Sequence, residues 1–469
     1  MPGLLVLIAL GVTVTLFACG GGGGGDAATP PAAAPPAPPP SPPPGLFPLR
    51  VDSGGRYLVD ASGNPFLLHV DSAWSLIADL SEEDAKIYLE DRRQKGFNAI
   101  IVNLLERQYS SNANAMPKYS NFYGQPPFTT TDDYGTPNPD YFAHADYVIQ
   151  LAASKGILVL LAPSYLGYGG GADGWFVTMQ SNAGKLRDYG RFLGQRYAAY
   201  KNILWLHGGD FEPPAPDRQL VANIALGIKE FDSVSLHSAH CAPYRSALDC
   251  WAGETWLQVN NIYMYDDVPL HARLAYANPM PFFLLESRYE NEPPDGNEQH
   301  IRVQAYQALL SGAMGQAFGN HPIWHFDGPG VYATPAPPNW EAWLDSPGAM
   351  SMVHVRELLF SRAWWTLVPD LTSAFLTNGL GSGQFDLAVA AKAGDGSFGL
   401  IYMPNARTVT VSLGQLAGPN VNARWFDPAD GAYTSIGVFP NSGPQAFTTP
   451  GPNASTSYSD WVLVLESTL

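Results

Sequence analysis

From residue 67 to residue 319 the chain repeats one pattern of apolar and polar positions. A short apolar run gives way to a stretch rich in Gly, Asn and Pro, and then to a longer segment with apolar residues at helical spacing. The runs predict strands at 67–70, 99–103, 158–162, 203–207, 235–238, 261–265, 282–286 and 315–319. Helices are predicted at 86–94, 141–153, 186–199, 218–230 and 298–310, the first two opening on the cap signals Ser81-Glu82-Glu83-Asp84 and Pro139-Asp140. A hairpin over 49–66, turning through 60–64, precedes them. Alternating strands and helices over roughly 300 residues give an α/β fold, a (β/α)8 TIM barrel with long loops. A doubly wound open sheet is the alternative, but it would carry a glycine-rich phosphate turn where this chain reads Asp71-Ser72-Ala73-Trp74.

After Trp364-Trp365 the period changes to two. Runs at 385–390, 398–402, 408–412, 423–425 and 461–465, separated by Gly, Asn and Pro, predict a C-terminal all-β sandwich domain. At the other end, residues 4–17 are mostly apolar, too short to span a bilayer comfortably but suited to a signal-peptide core. They lead into Leu16-Phe17-Ala18-Cys19, which resembles a bacterial lipobox with Cys19 as the lipid attachment site. Gly20 to Gly25 and the Pro/Ala tract to Pro44 form a tether that cannot bury a core. The expected division is therefore 1–19 signal peptide and lipobox, 20–46 tether, 47–367 barrel and 368–469 β-sandwich. The protein is expected to be an exported lipoprotein at the outer membrane or cell surface, with plain secretion as the alternative, and to touch a membrane only through that anchor.

Lys+Arg 25 against Asp+Glu 42 leaves a net charge of −17, which repels phosphate backbones and argues against nucleic acid as a partner. Aromatic residues make up 12% and charged residues only 14%, a balance suited to neutral, hydroxyl-rich sugars whose ring faces stack on aromatic planes, although a packed core absorbs most such residues. Cys241 and Cys250 stand nine positions apart in a loop-like stretch, and in an exported protein they are expected to pair as a disulfide. His237-Ser238-Ala239-His240 has ligand-like spacing, but no third ligand is fixed, so neither metal nor cofactor is expected.

In a barrel, chemistry sits just past the carboxyl ends of the strands. The fourth predicted strand runs Ile203-Leu204-Trp205-Leu206-His207 into Gly208-Gly209-Asp210, and the seventh runs Phe282-Phe283-Leu284-Leu285 into Glu286. Each carboxylate alone has a bland reading: Asp210 could cap the Pro213-Pro214 turn, and Glu286 could pair with Arg288. Together, on opposite sides of one mouth, they match glycoside hydrolysis, in which one carboxyl protonates the departing oxygen and the other attacks the anomeric carbon or activates water.

The elements Asp71-Ser72-Ala73-Trp74, Gly96-Phe97-Asn98, Trp205 to Asp210, Glu286-Ser287-Arg288-Tyr289-Glu290, Leu310 to Gly315 and Ile323-Trp324 resemble the apiosidase-like barrels of glycoside hydrolase family 140 over residues 48–365. The final segment resembles the collagen-binding-type β-domain that often follows them. The resemblance implies a retaining glycosidase with Asp210 as acid/base and Glu286 as nucleophile, acting on plant-type carbohydrate such as apiose-bearing pectic side chains. Substrate-binding candidates around the pair are Asp71, Trp74, Asn103, Glu106, His207, His240, Tyr263, Tyr265, Glu290 and Trp324, with Glu290 a competitor to Glu286 as nucleophile. Asp210 stands where most relatives of the wider clan place Asn-Glu, so its shorter side chain must approach the leaving oxygen more closely. The protein is expected to be a monomer. Rival readings are an inverting hydrolase on the same scaffold, and a surface glycan- or matrix-binding lipoprotein whose barrel has lost catalysis.

Overall fold

The computed structural model describes residues 43–109, 111, 116–328 and 339–468. The expected signal peptide, Cys19 and most of the tether lie outside the described residues. A small antiparallel sheet of Arg50–Val51, Leu58–Val59 and Pro65–Phe66 forms the expected hairpin. Eight parallel strands follow: β1 (Leu68–Ser72), β2 (Ala99–Asn103), β3 (Leu158–Ala162), β4 (Ile203–Gly208), β5 (Leu236–His240), β6 (Asn260–Tyr263), β7 (Phe282–Glu286) and β8 (Gly315–Phe318). Their order in the sheet is β5-β4-β3-β2-β1-β8-β7-β6, with the short strand Arg245–Ser246 antiparallel beside β6. Between β5 and β6 the ring is bridged by Val259 N–H donating to His237 O (3.1 Å) and by the Asn261 side-chain amide donating to Ala239 O (2.6 Å).

Each strand is followed by a helix: α1 (Glu82–Gln94), α2 (Pro139–Ser154), α3 (Leu186–Tyr197), α4 (Arg218–Lys229), α5 (Ala247–Trp251), α6 (Val268–Tyr276), α7 (Glu298–Leu310) and α8 (Pro347–Phe360). The sequence pattern missed α5, α6 and α8. α5 spans one turn, too short for periodicity to register, and α8 is apolar on several sides because it is sandwiched between layers.

The strands read as continuous apolar runs because both faces are buried. Leu68, Val70, Ile101, Leu160, Leu204, Leu206, Leu236 and Phe283 fill the barrel interior. Their neighbours of opposite parity, such as Ile100, Val102, Val159, Leu161, Ile203 and Trp205, pack outward against the helices. This alternation fixes where every polar strand residue points.

The C-terminal part contains β9 (Leu367–Pro369), β10 (Leu376–Asn378), β11 (Val389–Ala393), β12 (Phe398–Met403), β13 (Thr408–Ser412), β14 (Asn420–Phe426), β15 (Tyr433–Pro440), β16 (Pro444–Thr448) and β17 (Trp461–Thr468). They form a six-stranded sheet, β9-β11-β12-β17-β14-β15, and a three-stranded sheet, β10-β13-β16. In β17, Val462 and Val464 face α7 and α8 of the barrel, while Leu463 and Leu465 face the second sheet. One apolar cluster thus runs from the barrel helices into the β-sandwich. At its centre Arg302 of α7 makes a two-pronged ion pair with Asp460 (2.7 and 2.8 Å), both side chains fully buried, and the Tyr402 hydroxyl also donates to Asp460 (3.0 Å).

Candidate active site

A cavity of about 480 Å³ opens at the carboxyl ends of the strands, with Trp74, Asn103, Tyr165, Asp210, Glu286 and Tyr289 among its lining residues. Asp210 reaches it because two glycines carry the backbone out of β4. Gly208 adopts φ +89°, and a Cβ there would stand 2.2 Å from His240 O; a Cβ on Gly209 would meet Leu166 N at 2.5 Å. Only glycine fits this exit. The Tyr165 hydroxyl then donates to Asp210 Oδ2 at 2.6 Å and fixes the carboxylate.

Glu286 reaches the cavity by a different device. Regular alternation from Phe283 and Leu285, which face inward, would turn Glu286 toward the helices. The register between β6 and β7 shifts here: Ile262 pairs with Leu284, but Tyr263 pairs with Glu286. The extra residue in β7 is a bulge, and it re-aims the carboxylate into the mouth.

His240, with the same inward parity as Leu236, closes the group from β5. Its Nε2 lies 3.2 Å from Glu286 Oε2 and 3.6 Å from Asp210 Oδ1. One oxygen of each carboxylate and a His240 nitrogen all lie within 4.8 Å of one another. Burial, and then the charge of Asp210, push the Glu286 carboxyl up to about 7, against the opposing pull of His240. Burial alone would lower the imidazole of His240, but the two carboxylates outweigh it and hold its pKa above the ordinary histidine value. Around this cluster the Trp74 ring stacks on His240 (5.6 Å, 17°), and Trp74 Nε1–H donates to the Tyr289 hydroxyl (2.8 Å). The Tyr263 and Tyr265 hydroxyls are 3.0 Å apart.

Of the substrate-binding candidates, Trp74, Asn103, Tyr263, Tyr265 and Trp324 line the cavity, and His240 stands beneath the carboxyl pair. The structure places the other four elsewhere. Asp71 has outward parity on β1 and is fully buried, bound by Arg92 Nε (2.6 Å) and the Tyr88 hydroxyl (2.6 Å) of α1. His207 also points outward, with its Nε2 2.9 Å from His237 Nδ1 and its ring stacked on that of His237. Glu106 is buried beneath Asn103, accepting from its side-chain amide (3.0 Å) and from Arg107 N (2.8 Å), so it orients a lining residue without lining. Glu290 accepts from Ser346 Oγ (2.6 Å), Gly348 N (2.6 Å) and Asn320 Nδ2 (3.0 Å), tying the loop after β7 to the start of α8.

Sequence reasoning missed Tyr109, Tyr165, Asp173, Tyr289, Glu292 and His321, which also line the cavity. They sit on loops or a short helix, where no period marks them; only Tyr289, inside the motif that begins at Glu286, carried a signal. Cys241 and Cys250 form the expected disulfide, directly after His240. Among the described residues, two groups gather metal-ligating atoms: the Asp210, His240, Glu286 cluster, and Glu212 with these two cysteines, whose sulfurs are already bonded to each other.

The family model described as "Apiosidase-like, catalytic domain" matches residues 52–366, and the one described as "Putative collagen-binding domain of a collagenase" matches 369–466. A solved structure titled glycoside hydrolase is 25% identical, covering 90% of this chain and 97% of its own, with a TM-score of 0.75. A glycoside hydrolase family 5 structure from Bacteroides vulgatus ATCC 8482 is 24% identical, covers 90% and 95%, and has a TM-score of 0.76. No curated protein matches the chain. The barrel, the carboxylates at its mouth and a family match over most of the length lead to one statement: this chain belongs to the apiosidase-like catalytic-domain family and is a glycoside hydrolase acting on carbohydrate.

Proposed function

We propose that the protein is a retaining glycosidase in which Asp210 is the acid/base and Glu286 the nucleophile. The observation that carries this reading is that one oxygen of Asp210 and one of Glu286 lie within 4.8 Å of each other. Retaining enzymes hold their carboxyl groups about 5–5.5 Å apart, whereas inverting enzymes leave a wider gap for a water. The glycosidic oxygen takes its proton from Asp210, held by Tyr165, while Glu286 attacks the anomeric carbon from the opposite face. In the second half-reaction Asp210 draws a proton from water, which displaces the sugar from Glu286.

Burial, and then the charge of Asp210, keep the Glu286 carboxyl of the free enzyme protonated up to about pH 7. Catalysis requires that proton on Asp210 and the charge on Glu286. His240, 3.2 Å away, and the Tyr289 hydroxyl favour the charge on Glu286. Trp74 and Trp324 offer ring faces for stacking, and Asn103, Tyr263 and Tyr265 offer polar atoms to sugar hydroxyls. The substrate is a plant-type polysaccharide or oligosaccharide, with apiose-bearing pectic side chains the leading case on family likeness. The amino-terminal pattern supports export as a lipid-anchored protein.

Asp210→Asn and Glu286→Gln are each expected to lower hydrolysis of an active substrate by orders of magnitude. Wild-type rates in both variants would end the assignment.

A further inference from the structure

We propose that Tyr244 is a binding platform for a further sugar ring of the substrate, one seated outside the cavity against the aromatic rim formed by Tyr263 and Tyr265. This role presupposes that Asp210 and Glu286 are the catalytic pair, which fixes where the cleaved sugar sits.

Tyr263 and Tyr265 line the cavity. Their rings are 5.4 Å apart, and the Tyr244 ring follows at 6.2 Å from that of Tyr265, tilted by 58°. Three aromatic rings thus lead from the catalytic cavity to the surface, where Tyr244 is 50% exposed. An exposed tyrosine is ordinary on its own. What marks this one is how firmly it is held.

His240 of the catalytic cluster is followed at once by Cys241, and the Cys241–Cys250 disulfide closes the loop that carries Tyr244. Within that loop the strand Arg245–Ser246 pairs with β6, setting Arg245 opposite Tyr263, and Tyr244 N–H donates to Tyr263 O (2.8 Å). The Tyr244 hydroxyl donates to Asp266 Oδ2 (3.2 Å). The backbone of Tyr244 is left-handed, with φ +65°, a conformation that bulky side chains rarely adopt. Strain of this kind persists only where the surroundings impose it, and it gathers at ligand sites. The ring is therefore preorganised, and a sugar that lands on it does not have to order a loop first.

The surroundings suit a hydroxyl-rich ring. A carboxylate has several acceptor positions, so Asp266, exposed beside Tyr244, can accept from a sugar hydroxyl as well as from the tyrosine. Arg288, whose charge reaches both Tyr244 and the cavity residue Glu292, supplies donors on the same flank. An aromatic face with acceptors and donors at its edge matches a sugar, which is apolar on its ring face and polar around its rim.

The test uses the full chain on two substrates that share the cleaved sugar: an aryl glycoside, whose aglycone carries no second sugar, and pectic oligosaccharides graded by length. In Tyr244→Ala, kcat/KM on the longer oligosaccharides should fall about tenfold through KM, while their kcat and the rate on the aryl glycoside stay at wild-type values. Tyr244→Phe keeps the ring and should keep the wild-type KM. Titration of the same oligosaccharides into Glu286→Gln, with and without Tyr244→Ala, should show the same tenfold loss of affinity. An equal loss on the aryl glycoside would make Tyr244 a purely structural residue, and no loss on either substrate would leave it without a role; either result overturns the proposal. Oligosaccharide hydrolysis that persists at the wild-type rate in Glu286→Gln would instead sink the catalytic pair on which it rests.

Discussion

The Nε2 of His240 stands 3.2 Å from Oε2 of Glu286, so the imidazole is a direct electrostatic partner of one carboxylate and, at 3.6 Å, a neighbour of the other. This places a titratable cation beneath the point where charge moves during the reaction. Replacing it with Asn removes the pull that opposes the raised Glu286 pKa. The pair in His240→Asn should therefore hold its proton to higher pH. We expect kcat/KM to fall by about ten- to a hundredfold and the alkaline limb of its pH profile to move upward from about 7. A limb that stays in place, or moves down, would show that His240 does not act on the pair.

The same raised pKa has a cost in stability. The folded Glu286 titrates at about 7 against an ordinary 4.5, so between these values the folded state binds more protons than the unfolded state. Stability from this group is fully present below about pH 4.5 and is lost as pH rises through about 7. Gln cannot ionise and avoids the loss. Glu286→Gln should match wild type in acid but exceed it by roughly 1–3 kcal/mol at mildly alkaline pH, visible as a Tm higher by a few degrees. Thermal melts across that range measure it; a variant less stable at alkaline pH than at acid pH, relative to wild type, would contradict the electrostatic account.

How much of this was readable beforehand depends on the kind of signal each residue carried. The eight barrel strands were legible because strands buried on both faces are apolar throughout, and β2, β3 and β7 fall where the runs predicted. Asp210 was legible from Gly208-Gly209, and Glu286 from its place at the end of an apolar strand. Asp71 and His207 were misassigned although the signal was present: both share parity with outward-facing residues of their own strands, His69 on β1 and Trp205 on β4. Parity would have misled for Glu286, whose inward turn comes from a bulge that pairing with β6 creates. Tyr109, Tyr165 and Asp173 come from loops brought over the mouth by tertiary packing, and no local pattern encodes that.

Glu290, the sequence competitor for the nucleophile, binds three donors from the loop after β8 and the start of α8. Its loss should therefore be a stability effect. Glu290→Gln is expected to lower Tm, with about 1–3 kcal/mol lost as buried donors go unsatisfied, while keeping most of the turnover at a temperature where it is folded. Azide should restore activity to Glu286→Gly by occupying the vacated space as a nucleophile, and should not do so in Glu290→Gly. The reverse pattern would reassign the nucleophile.

The Arg302–Asp460 pair lies in the apolar cluster shared by α7, α8 and β17, so barrel and β-sandwich should unfold together. Asp460→Asn leaves a buried guanidinium without its counter-charge and should cost about 3–5 kcal/mol. Calorimetry of the wild type is expected to show one cooperative transition that moves down as a whole in the variant. Two separated transitions, with the upper one unmoved, would mean that the β-sandwich is an independently stable module.

The central claim is a double displacement between Asp210 and Glu286, and the anomeric configuration of the first-formed product tests it most directly. Proton NMR of the hydrolysis mixture within the first turnovers, before mutarotation, is predicted to show the sugar released with the configuration it had in the substrate. Release of the opposite anomer would contradict the account, because inversion works between carboxyl groups held further apart than this pair, one oxygen of each lying within 4.8 Å of the other.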